Sequence, residues 1–116
     1  LIAQAHPQLN ALSVVSESPM PLGEEHLPLV LELLARANKQ LTLGGFEYDL
    51  DRGMLVFRIT NLFERERYDP DIISSMVHCA IAELDDLLTY LSAQPGNTMG
   101  EHLTRVKAYR DRYGVA

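Results

Sequence analysis

The stretch GGFEYDLDRGMLVFRI, Gly44 to Ile59, decides the fold. Apolar and polar residues alternate, the chain turns at a glycine, and the alternation resumes. Period two is the pattern of a strand with one buried face. With Arg52-Gly53 as a two-residue turn, Leu50 faces Leu55, Tyr48 faces Phe57 and Phe46 faces Ile59. All six then share one face of an antiparallel pair. On the other face Glu47 meets Arg58, an opposite-charge cross-strand pair worth about 0.2–1 kcal/mol. A slip of one residue would mix apolar and charged groups on both faces. A three-residue loop with a glycine bulge would change only the local count near Gly53. The spacing predicts a hairpin with one apolar wall, and it makes Arg58 a structural charge.

Upstream, LIAQA (1–5) and ALSVVSE (11–17) read as two more strands, joined by a turn at Pro7 and Asn10. SPMPLG (18–23) reads as a loop, since its two prolines cannot donate to a ladder. EEHLPLVLELLARANKQL (24–41) then reads as a helix. Glu24 and Glu25 complement the dipole of its first turn, and Pro28 moves the start of its regular part to about residue 28. Leu27, Val30, Leu31, Leu34 and Leu41 form one stripe; Leu29 and Leu33 form a second. A surface helix needs one apolar stripe. The second, Leu29 and Leu33, marks either burial between sheet and another helix or an interface with another subunit.

Downstream, NLFERERYDPD (61–71) is a charged connection. Asp69-Pro70 reads as N-cap and first helical residue of a helix running to about Leu91. Ile73, Met76, Val77, Ala80, Leu84, Leu87, Leu88 and Leu91 recur at helical spacing on one face. Ser75, His78, Asp85, Asp86 and Thr89 occupy the other. After a loop at residues 93–97, Thr98 and Glu101 have capping-box spacing for a last helix. That helix carries Arg105, Lys107, Arg110 and Arg112. Hairpins alternating with helices predict an α+β, two-layer architecture, an antiparallel sheet with helices packed on one face.

The 116 residues suit one domain, 1–116. They include 47% hydrophobic and 22% charged residues, ordinary for a chain that buries a core without staples. The start, LIAQAH, lacks a Met and a basic leader and begins inside a strand, so the chain reads as lacking an N-terminal part of a longer protein. A formal net charge of −6 disfavours nucleic acid, whose phosphates repel an acidic surface. No apolar run is long enough for a membrane span. One cysteine, Cys79, excludes an intrachain disulfide and fits a reducing, cytoplasmic setting.

Side chains that could carry chemistry are dispersed. His6, His26, His78 and His102 fall on a turn, two helix starts and a helix face, and no two are four residues apart as a helical zinc pair requires. His78 and Cys79 are adjacent on a helix, where side chains diverge by about 100° and cannot act as a catalytic pair. Cys79 reads as a small, partly buried hydrophobe. Asp69 serves as a cap, and Asp85 and Asp86 lie on a solvent face. Gly44-Gly45 lacks the glycine spacing and following helix of a phosphate cradle, and instead leads from helix to strand. The expectation is no catalytic residue, no cofactor and no metal. The alternative is a small-ligand or metal site on the acidic face near His78 and Asp85.

The ordered series LVLELLARANKQLTLGGFEYDLDRGMLVFRI and YDPDIISSMVHCAIAELDDLLTYL resembles the YbjN family. The resemblance rests on an apolar helix ending in Asn38, then Gly44 or Gly45 with Phe46-Glu47, the turn glycine Gly53, Phe57-Arg58, and AELD at 82–85 in a long helix. It covers about Leu12 to Leu91. The segment after Ile59 is more charged than in similar proteins, and Thr89 stands where they often have proline. The resemblance implies a type III secretion chaperone-like fold, homodimers, and a role as a sensory-transduction or stress-related regulator of bacteria. Secretion chaperones with such folds hold extended segments of client proteins. No catalytic residue comes with the resemblance. The expected function is therefore a non-enzymatic protein-binding or regulatory domain acting as a homodimer. Its alternative is an accessory domain of a longer chain, with the surface at Leu29 and Leu33 used internally.

Overall fold

A computed structural model describes residues 1–65 and 67–92. The expected last helix, with its capping box, its four basic residues and His102, lies outside the described residues. Strands β1 (Ile2–His6) and β2 (Ala11–Pro19) form the first hairpin across a 3-10 turn at Pro7–Leu9. Helix α1 (Leu27–Gln40) follows, then β3 (Gly45–Asp49), β4 (Met54–Leu62) and helix α2 (Pro70–Ser92). The sheet order is β1-β2-β4-β3, antiparallel throughout, so the described residues form the expected α+β arrangement.

The second hairpin has the expected faces but a different register. Phe46 lies opposite Phe57, not Ile59, and Tyr48 opposite Leu55. The loop spans residues 50–53 because Asp49 Oδ1 accepts the N–H groups of Asp51 and Arg52, each at 3.1 Å. Gly53 then closes the turn at φ 61°. The displacement is even, so every strand residue keeps its face. Leu50 is lost from the wall and is 64% exposed. Arg58 lies opposite Gly45, diagonal to Glu47, and its Nε still donates to Glu47 Oε1 at 3.0 Å.

Two strands run further than expected. β4 continues to Leu62, paired with Ala11. β2 includes Pro19, opposite Met54. Backbone groups in an antiparallel strand alternate between its two neighbours. The N–H of Phe63 bonds to Asn10 O at 2.7 Å, so even-numbered residues of β2 serve β4 and odd-numbered ones face β1. Pro19 is odd-numbered and lies past the end of β1, so its missing N–H breaks no ladder bond.

Val14, Phe46, Leu55, Phe57 and Ile59 form the sheet's contribution to the core, with Phe46 and Phe57 edge-to-face at 5.1 Å. α2 adds Met76, Ala80, Leu84 and Leu87, on the face its periodicity predicts. Asp69 starts this helix as expected, Oδ1 accepting the Asp71 N–H at 2.8 Å. Ser16 Oγ donates to Ala80 O at 2.6 Å and ties helix to sheet.

α1 adds Val30, Leu33, Leu34 and Ala37 to the same core. Its inward stripe thus passes through Leu33 and not through Leu31, which is 41% exposed. At about 100° per residue the two stripes read from the sequence are centred roughly 120° apart, and the inward direction, through Val30, Leu33, Leu34 and Ala37, falls between them.

Candidate functional site

Polar side chains at the core boundary are tied to backbone. Asn38, on the last turn of α1, donates from Nδ2 to Phe46 O at 2.9 Å and accepts the Phe46 N–H on Oδ1 at 2.6 Å. Tyr48 donates its hydroxyl proton to Met20 O at 2.6 Å. On the sheet face away from the helices, Ser13 Oγ lies between His6 Nε2, at 2.9 Å, and Thr60 Oγ1, at 2.6 Å. A serine beside a histidine could suggest a nucleophile. Ser13 is only 2% exposed, however, and its oxygen is engaged by both neighbours, so no substrate atom can reach it.

His78 and Asp85 are both exposed on α2. Among the described residues, no group of three His, Cys, Asp or Glu side chains is placed to hold a metal ion. Cys79 is half-buried against the core; burial, then the charge of Glu83, push its thiol pKa up. A raised pKa leaves less thiolate, the opposite of what a nucleophilic cysteine needs. Leu33 has no exposed surface and is a core residue, while Leu29 packs half-buried against that core. The second stripe of α1 is thus turned inward at Leu33.

The sheet's two edges differ. On β3 the outward backbone groups are those of Phe46 and Tyr48, because β4 takes those of Gly45, Glu47 and Asp49. Asn38 fills the Phe46 position as a neighbouring strand would. On β1 the outward groups belong to Ala3 and Ala5, since Ile2, Gln4 and His6 face β2. No hydrogen bond to these outward groups occurs among the described residues. Ile2 to Ala5 are exposed, and β1 carries no charged residue. Proteins commonly protect such an edge with a charge, a proline or a bulge. The absence of charge in IAQAH was the available sequence signal; which strand would form the edge depended on topology.

Beside β1, on the helix side, a cleft of ≈ 470 Å³ is lined by Ala5, Pro7, Asn10, Arg65 and Tyr68. A larger open cleft of ≈ 870 Å³ follows at the β4–α2 junction, with Leu62, Phe63, Arg67, Asp69 and Ile72 among its lining. Its charges are of both signs, and Leu62 is 71% exposed. This geometry offers apolar contact and main-chain pairing. Among the described residues, no helix is long and apolar enough to cross a membrane.

Known proteins resemble this chain in two ways. An orotate phosphoribosyltransferase from Methylibium petroleiphilum is 62% identical over 37 residues, 32% of this chain and 16% of that enzyme. The corresponding enzyme from Pseudoalteromonas translucida is 57% identical over 37 residues, again 32% and 16%. That from Serratia proteamaculans is 38% identical over 80 residues, 64% of this chain and 32% of the enzyme. The chain thus spans a third or less of these curated relatives. No solved structure matches the chain. The YbjN family, described as "Putative bacterial sensory transduction regulator", matches residues 3–93, which include all of α2 and every described strand but for Ile2 at the start of β1. That span is most of the sequence, and the chain belongs to the YbjN family.

Proposed function

We propose that this chain is a non-enzymatic regulatory domain that binds protein, acts as a homodimer and works in the cytoplasm in a chaperone-like manner. Membership of a family described as regulators supports the regulatory part. The observation that carries the binding part is the asymmetry of the sheet: on the β3 edge Asn38 occupies the Phe46 position and the strand carries Glu47 and Asp49, while β1 has no charge and is exposed on both faces with its outward amides free among the described residues. An unplugged edge is suited to a protein partner, because only another extended chain matches its spacing of donors and acceptors. The cytoplasmic part is supported by Cys79, the single cysteine of the sequence, which is a free thiol and fits a reducing compartment.

The orotate phosphoribosyltransferase matches do not extend to an activity here. The aligned part is 16% to 32% of those enzymes, and a catalytic site assembles from a whole fold. Size-exclusion chromatography with light scattering at tens of micromolar tests the dimer; the expected mass is twice that of the chain. A strict monomer at that concentration would remove the homodimer from this reading.

A further inference from the structure

The geometry points to the β1 edge as the seam of the homodimer, with two copies pairing β1 to β1, antiparallel, about a twofold axis through Gln4. The inference rests on the dimeric reading above and assigns its surface. The pairing uses the outward groups of Ala3 and Ala5: each Ala3 bonds to Ala5 of the second copy, in both directions. A twofold interface must be self-complementary, and this register is. On the face away from the helices, Gln4 meets Gln4 and Ile2 meets His6. Ile2 is 51% exposed in one chain, so the contact covers apolar surface. No like charges meet, because β1 has none.

On the helix side, continuing the alternation from Ala3 places Leu1 of each chain opposite Pro7 of the other. Pro7 lines the ≈ 470 Å³ cleft with Ala5, Asn10, Arg65 and Tyr68. Leu1 is 63% exposed, so each copy offers an apolar side chain where the other offers a recess, and the symmetry makes the exchange twice. This reciprocity favours a second copy over an unrelated extended segment, which would supply strand hydrogen bonds but not both halves of the exchange. Pro7, without an N–H, ends the ladder.

Two variants test the seam. Ala3→Pro removes an outward N–H while sparing the β1–β2 ladder, so it blocks pairing without opening the sheet. It is expected to weaken self-association at least tenfold with an unchanged far-UV circular dichroism spectrum. Gln4→Cys, in a Cys79→Ser background, puts one thiol per chain at the twofold position. Opposed residues of a non-hydrogen-bonded pair have Cα atoms about 4.5 Å apart, within disulfide range. Mild oxidation is expected to give a covalent dimer that elutes with the wild-type dimer. If the wild type is a dimer, Ala3→Pro leaves it intact and Gln4→Cys does not cross-link, the seam is wrong and the dimer stands. If the wild type is a monomer throughout, both the dimer and the seam fall.

Discussion

Asn38 holds Phe46 by both of its main-chain groups, one bond at 2.9 Å and one at 2.6 Å. A primary amide has a donor and an acceptor at the spacing of a peptide unit, so one side chain replaces a neighbouring strand at this point. Phe46 is 4% exposed and lies in the core, so the two bonds also fix how β3 sits under α1. Asn38→Ala would leave a half-buried N–H and C=O unpaired, at about 1–3 kcal/mol. Urea denaturation should show a lower midpoint with an unchanged slope. Asn38→Asp should also be destabilising, because a carboxylate can accept the N–H but sets a negative oxygen against Phe46 O. A midpoint equal to wild type in both variants would mean that water replaces the amide at no cost.

Gly44 and Gly53 both have positive φ, 67° and 61°, but substitution should not affect them equally. A Cβ at Gly44 would lie 2.7 Å from Arg58 O and 2.8 Å from Phe57 Cζ. At Gly53 the nearest atom, Pro21 Cα, is 3.6 Å away, an ordinary contact. Gly53→Ala therefore carries only the left-handed backbone term, about 1–2 kcal/mol. Gly44→Ala adds a clash with backbone and with a fully buried ring, and should lose at least about 1 kcal/mol more. Parallel urea titrations would read the order. The reverse order would place Gly44 in a looser passage than these distances allow.

Ser16 joins the layers through a side chain 6% exposed, its hydroxyl 2.6 Å from Ala80 O. Ser16→Ala should cost about 0.5–1.5 kcal/mol, the net worth of one hydrogen bond. Ser16→Val should cost more, by about 1–3 kcal/mol, because its extra bulk meets α2 at Ala80, which is fully buried. Thermal melts of the two variants separate the bond from the packing. If valine is tolerated as well as alanine, α2 can move away from the sheet and the close approach is not required.

The sequence carried the periodic parts of this fold. α2 could be read nearly to the residue because Asp69-Pro70 marks its start and Met76, Ala80, Leu84 and Leu87 recur on one face. The hairpin wall was legible as a face but not as a register, since a displacement of two residues preserves the apolar pattern; the turn chemistry of Asp49 decided it. α1 was ambiguous because leucines occupy so much of its circumference that Leu31 and Leu33 were equally plausible core residues. The candidate binding edge was least legible. That LIAQA, residues 1–5, is a strand follows from the sequence, though His6, read there as part of the turn, belongs to the strand; that it is an unprotected edge follows from β4 inserting beside β2 and from Asn38 occupying the Phe46 position of the other edge.

Cys79 offers a readout of how firmly α2 is seated. Burial, then the charge of Glu83, raise its thiol pKa, so at a given pH the folded protein holds less thiolate than the unfolded chain. Thiolate is the reactive form, and reaction with a disulfide reagent at pH 8 should be slower in buffer than in urea. Glu83→Gln removes the second cause and leaves the first, so it should speed the reaction of the folded protein only part of the way to the unfolded rate. The wild-type rate should rise with pH through the thiol's titration, and the Glu83→Gln curve should be displaced towards lower pH. Equal rates in buffer and in urea would mean that α2 opens faster than the reagent reacts, and that the packing of Met76, Ala80 and Leu84 beneath it does not hold the helix closed on that timescale.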